Sequence, residues 1–459
     1  MTDPITTINP ATGETLERYP ALSDQEMTAR IEACHAAYED WRRRTPHERA
    51  ETIKAIGEGL RARKDEFARL MTEEMGKLLS QSEQEIELCA AICDYTAEIG
   101  PDTLKTEERE IQMGRKGRVA HTPIGVVYGI QPWNFPCYQV VRYSIASLMA
   151  GNGVLLKHAA NVTGSGLMLE RIYRDAGLPE GLFSVLVISH EQSDAVIEHP
   201  KVRGVTFTGS PDAGAHIAAK AGAQRKKTVL ELGSNDAYLV LSDADLEVAV
   251  ETCVNGRVYN NGETCVAAKR FIVADAVYDQ FRDAFVEAMQ AVRMGDPFDE
   301  DSDIGPMARE DLRDDLHKQV EQSVEKGARI VAGGKVPERE GWYYPATVLE
   351  DVRPGQPAYD DELFGPVAAL IRAKDDQDAM RIANDSRFGL GGGIITRDEE
   401  KALEMAEHEF DTGMVYINGF GLAMPNMPFG GVKDSGYGRE HGGFGIREFT
   451  NTKAIFVMR

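Results

Sequence analysis

Cys265 closes the run Asn261-Gly262-Glu263-Thr264-Cys265, in which a glycine turn leads into a thiol. A thiol of ordinary pKa, ~8.5, is only slightly ionised at neutral pH, so a nucleophile here needs amide dipoles or a base beside it. Without them Cys265 is an inert core cysteine. A carboxylate candidate is Glu231, which ends a β-rich run and precedes Leu232-Gly233-Ser234; it reads as a general base or as a helix cap. Asn134 lies between two prolines in Pro132-Trp133-Asn134-Phe135-Pro136. A stiff backbone that aims an amide donor suits an oxyanion hole, although turns also take Asn for conformational reasons. In Phe207-Thr208-Gly209-Ser210, with Gly214 beyond, a strand ends in small residues before a helix. That arrangement holds a phosphate at the helix N-terminus or is an ordinary strand-to-helix turn.

These groups need elements that bring them together. From Gly125 onward short β-rich runs alternate with helical ones. The strands expected are Val126–Ile130, Val154–Lys157, Phe183–Val187, Gly204–Thr208 and Thr228–Glu231, with helices near Val140–Met149, Gly164–Asp175 and Ala213–Ala221 between them. A second alternating region has strands at Tyr238–Leu241, Arg270–Val273, Val367–Ile371, Gly392–Thr396 and Gly413–Ile417, and helices at Asp245–Tyr259, Val277–Ala291 and Asp311–Glu325. Such alternation predicts mostly parallel sheets covered on both faces, an α/β fold with ligands at the strand ends. The first ~100 residues read as a helical lead-in, opened by the capping box Ser23-x-x-Glu26. The tail turns β-like at Thr452–Met458 and, with no obvious partner in its own domain, is expected to pair across a subunit boundary.

Composition narrows the chemistry. The 459 residues carry a net charge of −23, are 42% hydrophobic and 27% charged, and show no local basic patch, so nucleic acid and anionic membranes are not expected partners. The N-terminus lacks the basic and apolar segments of a secretory signal, and the most apolar stretch, Val140 to Leu156, is broken by Arg142 and Asn152. A soluble, cytoplasmic protein is the expectation. The six cysteines form no C-x-x-C pair, and the histidines show no metal-binding spacing, so no metal site is expected. The dinucleotide fingerprint G-x-G-x-x-G, the serine-hydrolase elbow, the Walker A loop and H-E-x-x-H are all missing.

Taken together, the motifs resemble the aldehyde dehydrogenase superfamily, from Asn9-Pro10-Ala11-Thr12-Gly13-Glu14 to Gly438-Arg439-Glu440. The matches are P-W-N-F-P at 132–136, F-T-G-S at 207–210, E-L-G at 231–233, Cys265, Glu362-Leu363-Phe364-Gly365-Pro366 and P-F-G-G-x-K-x-S-G at 428–436. Within it the chain looks most like the short bacterial succinate-semialdehyde dehydrogenases. The resemblance implies two open α/β domains, a Rossmann-like NAD(P)-binding domain (1–104 and 124–233) and a catalytic domain (234–432). A small β oligomerisation element (105–123 and 433–459) would complete a homodimer or homotetramer.

It also implies roles. Cys265 would attack an aldehyde carbon, Asn134 and the Cys265 amide would hold the oxyanion, and Glu231 would activate water against the thioester. NAD or NADP would be held by Trp133, Lys157, Gly209, Ser210, Glu362 and Phe364. By themselves, Lys157 reads as a solvated strand-end charge and Glu362 as surface. The implied reaction is oxidation of a small semialdehyde, succinate semialdehyde, to its carboxylate. Alternatives are a broad-range aliphatic aldehyde dehydrogenase, an acylating reductase, which would not need Glu231, and a non-catalytic member, which would be expected to lose Cys265, Asn134 or Glu231.

Arg142 matches the arginine that reads the distal carboxylate in that group, its alternative being a structural ion pair. The group's second arginine is here Tyr259, with Arg257 the nearest cation. Two residues depart from the family. Ser234 replaces a glycine and is expected to crowd the nicotinamide; Glu263 replaces a glutamine and is expected to oppose thiolate formation or, failing that, to point to solvent. Ala160 stands where NAD-preferring relatives carry an acid, so use of both cofactors is expected.

Overall fold

A computed structural model describes residues 4–112 and 115–458. The expected ranges also include residues 1–3, 113, 114 and 459, which lie outside the described residues. Two open sheets dominate. The first runs in the order Gly436–Tyr437, Lys227–Glu231, Val202–Thr208, Val126–Gln131, Gly153–His158, Phe183–Val185 and is parallel except for the first, short strand. The second runs Arg329–Ala332, Thr347–Glu350, Val367–Ala373, Arg270–Ala274, Ala237–Val240, Gly392–Ile395, Tyr416–Ile417, again parallel but for its first member. Strand Gly153–His158 is buried at every position, including Lys157 and His158, as a parallel strand covered on both faces must be.

Register places the chemistry. Ile130 pairs with Lys157, and Thr208 pairs with Glu231, so the lysine, the acid and the Gly209-Ser210 turn all stand at the carboxyl edge of the first sheet. Ser210 caps the helix Pro211–Ala223, its Oγ accepting from Ala213 N. The capping box at Ser23 is formed, with Glu26 accepting from the Ser23 N–H at 2.8 Å.

The lead-in is not wholly helical: Ile5–Ile8 and Thr15–Tyr19 form an antiparallel hairpin before the helices begin at Asp24. Strand Gly413–Ile417 shrinks to Tyr416–Ile417. The tail strand Thr450–Phe456 finds its partner in its own chain. It pairs antiparallel with Arg115–Pro123, which also pairs with Glu107–Ile111, and forms one edge of that three-stranded sheet. Among the described residues no helix is long and apolar enough to cross a membrane.

Candidate active site

Cys265 is carried by the loop between the helix Leu246–Val258 and the strand Arg270–Ala274. The turn before it is strained: Asn260 and Asn261 have φ of 56° and 59°, the left-handed region that non-glycine residues seldom occupy. Side-chain bonds hold it. Asn260 Nδ2 donates to Asn134 O at 3.0 Å and Glu263 O at 3.1 Å, and Asn261 Nδ2 donates to Pro306 O at 2.9 Å. Gly262 has φ of 74° and no room for a side chain, since a Cβ would come within 2.4 Å of the Gly365 backbone.

Asn134 is 3% exposed, and its amide is oriented on both sides. Its Oδ1 accepts from Gln139 Nε2 at 3.2 Å, which turns Nδ2 toward the cysteine loop, where it donates to Glu263 O at 3.1 Å. One amide hydrogen is left for an oxyanion. The helix Tyr138–Ala150 behind Asn134 has no side-chain cap of its own; Glu85 Oε1 caps it from another helix, accepting from Cys137 N and Tyr138 N at 2.8 and 2.9 Å. Lys77 balances Glu85 at 2.5 Å, with both side chains buried.

Glu231 is 2% exposed, and neither carboxylate oxygen has a hydrogen-bond partner among the described residues. Burial pushes its carboxyl up to about 8; Arg142 and Arg439 pull it down, and Glu440 pushes it further up. A base poised near neutrality is what proton abstraction requires. Burial likewise raises the Cys265 thiol to about 12, opposed by Arg142 and Lys269 and assisted by Glu362 and Glu231.

Beside Cys265 lies a narrow pocket walled by Phe135, Tyr138, Tyr259, Val266, Leu422 and Phe429. Tyr259 therefore stands where a substrate contact was expected. Arg142 and Arg257 do not. Arg142 Nε meets Glu440 Oε2 at 2.5 Å and its Nη2 donates to Thr208 Oγ1 at 2.8 Å, while Tyr138 and Phe429 lie against the guanidinium, so the structural ion pair is the arrangement found. Arg257 is fully buried and ties the cysteine turn to the second sheet, donating to Gly262 O at 2.7 Å and Val367 O at 3.3 Å.

Of the two departures from the family, the expected solvent-facing position of Glu263 is corrected. The Ser234 hydroxyl hydrogen-bonds the Cys265 carbonyl and accepts from Lys269 Nζ at 2.8 Å. Glu263 does not face solvent. It is 0% exposed, its Oε1 accepts from Ala308 N at 3.0 Å, and burial raises its carboxyl well above the usual range against the pull of Lys77 and Arg309. A carboxyl so held favours its neutral form.

The residues expected to hold a dinucleotide line the facing sheet edges. Lys157 is 8% exposed, and among the described residues no acid or acceptor meets its ammonium, a buried cation without a counter-ion. Gly209 N–H donates to Glu231 O at 3.0 Å. Glu362 lies 3.1 Å from Lys269, and a Cβ on Gly233 would come within 2.8 Å of its carboxylate. Trp133 packs edge-on against Phe364, with ring centroids 5.8 Å apart. An unpaired cation, a capped helix start and an unsaturated carboxylate fit a phosphorylated dinucleotide.

Sequence reasoning missed Lys269, Gln139, Glu85 and Glu440. A lysine amid the apolar run Val266 to Val273 is a signal for Lys269, and Glu440 stands in the Gly438-Arg439-Glu440 run; Glu85 and Gln139 carry none, since their partners lie elsewhere in the chain.

Comparison with known proteins agrees with this geometry. The model of the aldehyde dehydrogenase family matches residues 1–455. The NAD(P)+ succinate semialdehyde dehydrogenase Sad of Escherichia coli (strain K12) is 44% identical over 452 residues, 98% of this chain and 97% of that one. An NADP+ succinate-semialdehyde dehydrogenase of Deinococcus radiodurans is 43% identical, covering 98% of this chain and 94% of its own. Among solved structures, succinic semialdehyde dehydrogenase from Streptococcus pyogenes in complex with NADP+ superposes with a TM-score of 0.96 at 34% identity, over 99% of each chain. With a thiol, an aimed amide and an unpartnered buried carboxylate placed on this scaffold, the chain belongs to the aldehyde dehydrogenase family.

Proposed function

We propose that the protein oxidises a small semialdehyde, succinate semialdehyde, to its carboxylate with NAD or NADP. The observation that carries the chemistry is Asn134: Gln139 fixes its amide so that one N–H is aimed at the cysteine loop and another is free. Cys265 Sγ, its proton released to solvent, attacks the aldehyde carbon as the thiolate, and the oxygen that becomes negative is met by Asn134 Nδ2 and the Cys265 amide. Trp133, Lys157, Gly209, Ser210, Glu362 and Phe364 would hold the dinucleotide, which when bound would supply the hydride acceptor this oxidation needs. Cys265 then carries the acyl group as a thioester. Glu231 takes a proton from water as the water oxygen attacks the thioester carbon, the C–S bond breaks, and Cys265 is restored.

The relatives named for succinate semialdehyde support the substrate. The apolar wall of the cavity, with Arg142 engaged by Glu440, favours a second reading in which unsubstituted aliphatic aldehydes are also accepted. A steady-state screen of three- to five-carbon aldehydes, with and without a terminal carboxylate and with each cofactor, decides between them. The first reading requires kcat/KM to be highest for succinate semialdehyde; equal values for butanal would overturn it.

Residues 1–104 and 124–233 serve as the cofactor domain and 234–432 as the catalytic domain. The element 105–123 with 433–459 assembles a homodimer or homotetramer, a reading supported by Ile455, Phe456, Val457 and Met458, all exposed on the tail. A cytoplasmic enzyme accords with six free thiols.

A further inference from the structure

Lys269 stands at the head of the strand Arg270–Ala274, its side chain 1% exposed. Its ammonium donates to Cys265 O at 2.6 Å, to Ser234 Oγ at 2.8 Å and to Thr264 O at 3.3 Å, and lies 3.1 Å from Glu362 Oε1. Three segments distant in sequence thus meet at one nitrogen: the turn after the base Glu231, the nucleophile's own peptide with the lysine that follows it, and the carboxylate expected to take the cofactor's ribose. Ser234, whose hydroxyl also bonds the Cys265 carbonyl, completes the cluster. A buried cation placed there stabilises negative charge nearby, and every bond it makes restricts where the cysteine peptide sits.

We propose that Lys269 is a positioning residue for the nucleophile: it fixes the Thr264-Cys265 peptide through its carbonyls, supplies positive charge that favours the Cys265 thiolate, and holds Glu362 ionised for the cofactor's ribose. The last part rests on the function proposed above. The first two do not. The charges facing Cys265 are Arg142 from the helix Tyr138–Ala150, Lys269, Glu362 and Glu231, with the phenols of Tyr138 and Tyr416 also near. Both cations are paired, Arg142 with Glu440 at 2.5 Å and Lys269 with Glu362 at 3.1 Å, but Lys269 is the one that also donates to the cysteine peptide itself.

The test is alkylation of the cofactor-free enzyme by iodoacetamide across pH 7 to 9.5, with Cys265→Ala as the blank. Lys269→Gln, which retains a donor to the carbonyls but no charge, is expected to displace the plot of log rate against pH upward in pH by ~1 unit, roughly a tenfold slower reaction at each pH. Lys269→Arg, which keeps the charge, should move it back toward the native line. Ser234→Gly serves as a milder variant in the same cluster and should give a smaller displacement of the same sign. A Lys269→Gln enzyme that melts like the native protein and alkylates on the native line overturns the proposal. Calorimetric titration with NADP+ and NAD+ forms the second arm: Lys269→Gln and Glu362→Gln are both expected to bind about tenfold more weakly. Undiminished binding by Glu362→Gln would refute the ribose assignment and leave the thiol result standing, so the two failures are distinguishable.

Discussion

The pH dependence of turnover is a direct consequence of where Glu231 sits. Its carboxyl titrates at about 8 because burial penalises the charged form and Glu440 adds repulsion, against the pull of Arg142 and Arg439. The base form is therefore about one-tenth populated at pH 7 and about one-hundredth at pH 6, and hydrolysis of the thioester should fall about tenfold per unit below pH 8 and level off above it. Glu440→Gln removes the repulsion and frees the Arg142 guanidinium, and both changes favour the Glu231 carboxylate. The limb should move to lower pH by ~1 unit. The assay is kcat from pH 6 to 9.5, joined to stopped-flow detection of the reduced cofactor at pH 8. Glu231→Gln keeps the shape without the base, so it should release about one equivalent of reduced cofactor per site and then turn over slowly, with no limb near pH 8. An undiminished steady-state rate in Glu231→Gln, or a limb that Glu440→Gln leaves in place, would refute the reasoning.

The same carboxyl affects stability. A folded-state value raised from 4.5 to about 8 means that stability is lost as pH rises through that window, so Glu231→Gln should raise Tm more at pH 8 than at pH 5 in scanning calorimetry. Arg142→Ala leaves Glu440 buried without its partner at a cost of about 3–5 kcal/mol, and should lower Tm and reduce kcat/KM for succinate semialdehyde and butanal together. A loss confined to succinate semialdehyde, of roughly ten- to hundredfold, would instead return Arg142 to reading the substrate's carboxylate. Ala160→Glu introduces an acid just beyond Lys157 and should weaken NADP+ binding far more than NAD+ binding by calorimetry; equal losses would count against a 2′-phosphate near that position.

The central strands were legible from sequence because burial on both faces demands unbroken apolar runs such as Val154-Leu155-Leu156, and the strand ends carried the short motifs that hold Cys265, Glu231 and Asn134. The hairpin Ile5–Ile8 with Thr15–Tyr19 was not, since strands this short leave little periodicity to read. Side-chain direction was a matter for tertiary structure alone. Arg142 follows Asn134 at helical spacing, which reads locally as a substrate contact, yet a carboxylate from Glu440 near the C-terminus claims its guanidinium. Nothing beside Ser234 or Glu263 in the chain foretold that Lys269 would draw the first against the Cys265 carbonyl, or that the Ala308 amide would draw the second inward. Which residue types can do the chemistry is written in local spacing; which of them is free to do it depends on partners that only folding brings within hydrogen-bond reach.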